Sequence, residues 1–208
     1  MPESLRWEGP PLESWAPWTP ERAAAALEGV SAPWAVAGGW AVDLWLGRQT
    51  REHEDLEIAV PAVFFLEIQA RLEALGLHLF EIDEGQAIAL APGQARRGRG
   101  HQTWAMDPAL QGWCMDILSE PGDAEIWIYR RTVELSAPRA WATGRTEGGI
   151  PYLAPQIVLL FKAKASRDKD QADFDLVAPR LSPGARTWLA DGLKVIQPGH
   201  AWIERLAV

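Results

Sequence analysis

Residues 38–60 read GGWAVDLWLGRQTREHEDLEIAV, and their punctuation decides the fold. The paired glycines close a short apolar run, WAVA, and open WAVDLWLG, whose helical spacing stops at Gly47. A charged stretch, residues 48–55, then leads into Asp55-Leu56-Glu57-Ile58-Ala59-Val60, where polar and apolar side chains alternate before Pro61. The order is strand, tight turn, helix, loop, strand. Asp55 and Glu57 stand two apart on the second strand, so the pleat turns both to one face and Leu56 and Ile58 to the other. Two converging carboxylates repel each other unless a cation lies between them, and hard oxygen ligands suit Mg²⁺ or Mn²⁺. The same alternation also describes any half-exposed strand. Gly38-Gly39 presents bare backbone N–H groups at a helix start, a place that favours a phosphate, although a plain strand-to-helix turn uses glycine in the same way. His53, two before Asp55, is read as a loop residue or hydrogen-bond partner behind the acids.

Outward from this stretch, Thr19-Pro20-Glu21 caps and opens a helix that ends near Gly29. Residues 1–20 carry five prolines with Trp7, Trp15 and Trp18, which reads as an irregular arm over the domain surface. Downstream, residues 62–76 are helical, and HLFEID and QAIALA form a strand pair about Glu84-Gly85. APGQARRGRGHQ is a flexible basic loop, so Arg96, Arg97 and Arg99 read as loop residues. WCMDILSE and EIWIYRR are strands around Pro121-Gly122-Asp123. Asp116 is alone among apolar neighbours on the first of these, and a buried carboxylate needs a partner, either a cation in a site or a structural ion pair. From Pro155 the chain reads as successive helices broken by Pro, Ser and Gly. The expected architecture is α+β, a mixed sheet in residues 1–148 with the N-terminal arm, followed by a helical portion in residues 149–208. Asp55, Glu57 and Asp116 are expected on one face at a cleft, with the late helices as a separate wall.

Composition bounds the function. The chain has 208 residues, 48% hydrophobic and 23% charged, the values of an ordinary globular protein. One cysteine, Cys114, excludes an internal disulfide and a cysteine-rich zinc site, and no HExxH spacing occurs. The net charge of −8 makes long nucleic acid a poor partner and suits a cationic one. The start has no basic and apolar leader pattern and no stretch approaches a membrane span, so a soluble cytoplasmic protein is expected. Twelve Trp residues read as core and interface packing; Trp40 or Trp104 stacking on a base or sugar is the alternative.

The stretch 38–60 resembles the signature of the polymerase-beta-like nucleotidyltransferase superfamily: a glycine pair, a helix, then Asp-hydrophobic-Asp/Glu. It is most similar to the aminoglycoside and lincosamide nucleotidyltransferases, which share the Gly-Gly-Trp start, an acid inside the helix and an Arg-x-His-x-Asp approach to the metal strand. Asp116 and the segment GIPYLAPQIVLLFKAKASRDKDQADF, residues 149–174, fit relatives of that group. The resemblance implies a nucleotidyltransferase fold and a Mg²⁺-dependent enzyme using two ions. Such an enzyme moves AMP from ATP to a hydroxyl of a small molecule, an aminoglycoside-type antibiotic in the nearest relatives. It makes Asp55, Glu57 and Asp116 the catalytic and metal-binding acids and puts Gly38 and Gly39 at the triphosphate. The antibiotic enzymes generally carry Asp where this chain has Glu57. Arg51, by a bidentate grip, and Lys162 are the candidate phosphate ligands, beside Arg48 and Lys164. Two other readings stand at this point: modification of RNA or protein, as in toxin-type relatives, and a non-catalytic nucleotide-binding domain. The acceptor and the oligomeric state are not given by the sequence.

Overall fold

The computed structural model describes residues 9–97, 100–165 and 167–207; Trp7 and Arg99 lie outside the described residues. Helix α1 (Pro20–Ala26) begins where its cap requires, with the Thr19 hydroxyl accepting from the Arg22 N–H and Pro20 in the first turn. The chain continues through β1 (Ala35–Val36), α2 (Gly38–Leu46), β2 (Glu57–Pro61), α3 (Phe65–Ala74), β3 (His78–Asp83), β4 (Gln86–Ala89), β5 (Gln102–Asp107) and β6 (Gly112–Glu120). Then come β7 (Ile126–Ile128), β8 (Ser136–Pro138), α4 (Arg139–Ala142), β9 (Thr143–Arg145) and β10 (Pro151–Leu153). Helices α5 (Pro155–Lys162), α6 (Asp168–Val177), α7 (Pro183–Ile196) and α8 (Trp202–Leu206) complete the chain. No helix among the described residues is long and apolar enough to cross a membrane.

Eight strands form one mixed sheet in the order β4-β3-β5-β6-β2-β1-β10-β9, with β2 parallel to β6 and antiparallel to β1. The pleat sorts its side chains. Leu56, Ile58 and Val60 pack with Cys114, Met115 and Ile117 beneath α1 and α3, against Ala23, Leu27, Phe65, Ile68 and Leu72. Each fully buried aliphatic side chain of this kind contributes about 1.5–3 kcal/mol. Ala59, one residue out of phase, joins a second core built from α5 to α8. Glu57 and Asp116 share the phase of Ala59 and therefore face away from α1 and α3.

Three departures from the sequence reading shape the site. Helix α2 starts at Gly38 itself, so the glycines are its first turn and do not end the strand. Strand β5, within residues read as loop and unassigned chain, pairs with β6 and brings Gln102 and Trp104 alongside the acids. The arm is docked as a strand: the Trp113 N–H donates to Ser14 O at 2.8 Å, and Trp113 O and Cys114 O accept from Ala16 and Trp18 at 2.9 Å. It covers the part of β6 that precedes the β2 pairing, and Trp113 packs edge-on against Phe80 and Trp104. β9 and β10 pair with each other across residues 148 and 149, and the helical block begins at Pro155.

The β7–β8 hairpin forms its own two-stranded sheet and is tied to the end of β6 by a buried ion pair, Arg139 to Glu120 at 3.5 Å. The Trp127 indole N–H donates to the other oxygen of Glu120 at 3.0 Å, and Arg139 also donates to the carbonyls of Asp123 and Ile126. Removing one partner of a buried pair strands the other charge. Glu120→Ala should therefore cost about 3 kcal/mol, the low end for such a loss because Arg139 keeps its carbonyl partners. Urea unfolding measures this, and a cost near zero would mean the pair does not anchor the hairpin.

Candidate active site

Parallel pairing sets Glu57 on β2 opposite Asp116 on β6, and the Leu56 carbonyl accepts from the Asp116 N–H at 2.8 Å. Asp55 is exposed just before β2, Glu57 is partly buried, and Asp116 is 3% exposed. One oxygen of Asp116 accepts from the Gln102 amide at 2.6 Å. The other has no hydrogen-bond partner of good geometry; the neighbouring Trp104 indole N–H acts on it only as a weaker polar contact. Burial, and then the Glu57 charge, raises Asp116 well above the usual carboxylate range. Burial first and Asp55 second raise Glu57 to about 7, with Lys162, Arg167 and Lys169 pulling the other way. The charge of Asp55 thus acts on both Glu57 and Asp116, and that of Glu57 on Asp116.

Two cavities meet at these side chains, with Glu57 and Gln102 lining both. One, of about 380 Å³, runs from Gly38 and Glu57 to α5, with the cations Arg130, Arg131, Lys162, Lys164 and Arg167 on its walls. His101 in the same wall is pulled down to about 4 by burial and by Arg130, Arg96 and Arg131, so it is neutral at pH 7. The other cavity is bounded by Asp55, Asp116, Glu13, Glu54, Trp15 and Trp104. One side of the acids is cationic and suits a polyphosphate. The other is anionic.

The glycine pair has a use that differs from simple openness. Gly38 has φ +59°, and the space of its missing Cβ is taken by the Glu57 carboxylate; at Gly39 that space is taken by Arg51 Nη2 and the His53 ring. A side chain at either position would therefore dislodge an acid or its support, as well as obstruct a phosphate at the helix start. His53 Nε2 lies 2.6 Å from Asp43 Oδ2 and its ring stacks on Trp40 with centroids 4.4 Å apart. The Thr50 hydroxyl donates to the other oxygen of buried Asp43. This clamp folds the loop 48–54 back on α2 and fixes where Asp55 emerges.

The candidate cations separate. Lys162 lines the cationic cavity, yet its Nζ sits 2.8 Å from Asp173 and 3.1 Å from Asp170, and Arg167 Nε pairs with Asp170 at 2.9 Å. Arg51 reaches Asp173 at 3.6 Å and lines neither cavity, and neither do Gly39 and Arg48. Gly38, Glu57 and Lys162 are brought together; Arg51 supports them from behind. Arg130 and Arg131 were not foreseen. They follow a three-residue strand and look in sequence like surface charge, but both lie within 5.6 Å of the Phe161 ring at the cavity wall. Arg167 was quoted only within a longer segment.

Asp55, Glu57 and Asp116 offer hard oxygen donors, and one buried Asp116 oxygen lacks a partner, so the donor chemistry fits a divalent cation. Among the described residues, however, no three His, Cys, Asp or Glu side chains are gathered closely enough to hold a metal ion. Glu57 is turned up against Gly38.

Residues 21–90 match the family described as aminoglycoside-2''-adenylyltransferase. A 2''-aminoglycoside nucleotidyltransferase of Escherichia coli is 39% identical over 57 residues, covering 27% of this chain and 32% of the relative. The match thus spans about a third of the length of that curated relative. Among solved structures, ANT(2'')-Ia in complex with adenylyl-2''-tobramycin aligns with a TM-score of 0.59 at 17% identity, covering 84% of this chain and 95% of that one. The lincosamide antibiotic adenylyltransferase LnuA, lincomycin-bound, aligns with a TM-score of 0.53 at 19% identity, covering 74% and 91%. The chain therefore has the fold of these nucleotidyltransferases, a mixed α+β fold, over most of its length.

The crowded acids give a pH signature. Glu57 holds its proton more tightly folded, near 7, than its ordinary value of 4.5. The stability this contributes is complete below 4.5 and is lost as pH rises through about 7. In chelator, the melting temperature should fall between about pH 5 and pH 8, with Glu57 alone worth on the order of 2–3 kcal/mol. Glu57→Gln should flatten that fall, and an equally steep profile in the variant would remove Glu57 from the cause.

Proposed function

We propose that this chain is a nucleotidyltransferase that moves AMP from ATP to a hydroxyl of a small cationic acceptor of the aminoglycoside type. The observation that carries it is the junction of a cationic and an anionic cavity at Glu57, beside the buried, incompletely partnered Asp116. A triphosphate and a polyamine would each find a complementary wall there, and their reacting atoms would meet over the acids. The relatives' substrates agree with this assignment, and the net charge of −8 favours a cationic acceptor in the same direction.

Asp55, Glu57 and Asp116 would hold Mg²⁺, which when bound supplies a positive charge that neutralises the phosphates and the carboxylates together. The chain's own groups do the rest. Gly38 and the first turn of α2 direct backbone N–H groups toward the phosphates. Arg130, Arg131 and Lys164 offset charge on the β- and γ-phosphates. The acceptor oxygen attacks the α-phosphorus, the bond to the β-phosphate oxygen breaks, and pyrophosphate leaves with the electron pair. The hydroxyl proton passes to Asp116, whose buried carboxylate has an oxygen free to take it. Gln102 holds the other oxygen and keeps the acid oriented.

Incubation with α-labelled ATP and Mg²⁺, with tobramycin, lincomycin, RNA and protein as separate acceptors, tests the reading. Label should appear on tobramycin with release of pyrophosphate. Asp116→Asn and Asp55→Asn should each lower that transfer by about a hundred-fold or more while remaining folded. Label on RNA or protein alone, or full activity in both variants, would overturn it.

A further inference from the structure

The N-terminal arm, residues 9–18, lies wholly outside the segment matched by the family model, which starts at residue 21. It nevertheless reaches the catalytic acids. Three backbone hydrogen bonds seat it on β6 directly ahead of Asp116, and the Trp113 indole N–H fixes its start by donating to Pro11 O at 2.9 Å. Its far end is pinned by Trp18, whose indole donates to Asp107 at 3.1 Å while the Arg22 guanidinium lies over its ring at 4.2 Å. Between these two anchors the arm projects Glu13 and Trp15 into the anionic cavity.

The contents of that cavity are specific. Trp15 meets Trp104 edge-on with centroids 5.0 Å apart, giving a half-buried indole wall. Glu13, Glu54 and Asp55 form an open carboxylate rim; Glu54 makes an exposed ion pair with Lys169 at 3.3 Å, and among the described residues Glu13 and Asp55 make none. At the floor, Asp116 is 3% exposed with one oxygen free of good hydrogen bonds. A ligand that fills this space needs an apolar ring face for the indoles, ammonium groups for the rim and a hydroxyl for the floor.

We infer that the arm is the acceptor-side wall of the site: Trp15 stacks on, and Glu13 pairs with an ammonium group of, a polyamino sugar whose hydroxyl is presented to Asp116. Glu13 and Trp15 are positioning and specificity residues, distinct from the acids that meet the phosphates. The inference rests on the proposed nucleotidyl transfer and adds to it a recognition element contributed by a segment outside the matched residues 21–90.

Titration calorimetry with tobramycin on the full chain, with and without Mg-ATP, separates the two claims. In Glu13→Gln the dissociation constant for tobramycin should rise about threefold to fivefold, since the pair is exposed and screened. In Trp15→Leu, which keeps the apolar packing on Trp104, it should rise about tenfold. The affinity for Mg-ATP should match the wild type in both, because neither residue lines the cationic cavity. Tobramycin affinity unchanged in Glu13→Gln and Trp15→Leu overturns the arm's role while transfer stands. A wild-type chain that binds Mg-ATP but not tobramycin overturns the polyamino-sugar assignment. A wild-type chain that binds neither overturns the proposed function, and the arm's role with it.

Discussion

Glu57 and Asp116 are set opposite each other across a parallel strand pair, with Asp116 buried and Glu57 partly so. Their repulsion is a cost that the rest of the structure has to bear. Burial alone would be met by protonation, and the raised proton affinities of both groups show that pressure. What distinguishes the site from a structural acid pair is its counter-ion: buried Arg139 answers Glu120, and buried Lys162 answers Asp170 and Asp173, whereas among the described residues Asp116 makes no ion pair and meets only the more distant charge of Arg96. A cation brought by a substrate complex would supply it.

The surrounding architecture keeps the acids from relaxing. Asp43 holds Thr50 and His53 and so ties the loop 48–54 to α2 just ahead of Asp55. Behind the loop, Arg51 shares Asp173 with Lys162, which joins the loop ahead of β2 to α5 and α6 through one buried carboxylate. Lys162 therefore has a double position, with its stem on the cleft wall and its ammonium committed to α6. The cations with fewer carboxylate ties, Arg130, Arg131 and Lys164, are better placed to answer a phosphate. Opening and closing of the cleft would have to carry α5 and α6 together.

Much of this was legible in residues 38–60, because the signals there are local. Period-two alternation set Glu57 on the face opposite Leu56 and Ile58, although Asp55, read as part of the same strand, lies just before β2, and the glycine pair marked the entry to α2. The third acid was legible too, since a lone carboxylate on an apolar strand is conspicuous. Strand β5 was not: QTWAM is short and follows a Gly- and Arg-rich stretch that reads as loop, and its place is set by long-range pairing with β3 and β6. The docking of the arm was hidden for the same reason, as its hydrogen bonds span about a hundred residues. Gly38 and Gly39 were read as a helix start that favours a phosphate, and their second use, leaving Cβ positions that Glu57, Arg51 and His53 fill, was not foreseen. That detail depends on side chains folding back from a loop, which no periodicity encodes.

If the acids are a cation-binding site held under repulsion, melting curves of the wild type and of Asp116→Asn must differ in their response to metal. Each is heated in chelator, with ATP alone and with Mg-ATP. The wild type should be stabilised by Mg-ATP well beyond ATP alone, whereas Asp116→Asn should melt at or above the wild-type temperature in chelator and lose the metal-dependent rise. An Asp116→Asn protein that melts markedly earlier in chelator yet keeps the full response to Mg-ATP would contradict the account and return Asp116 to a structural role.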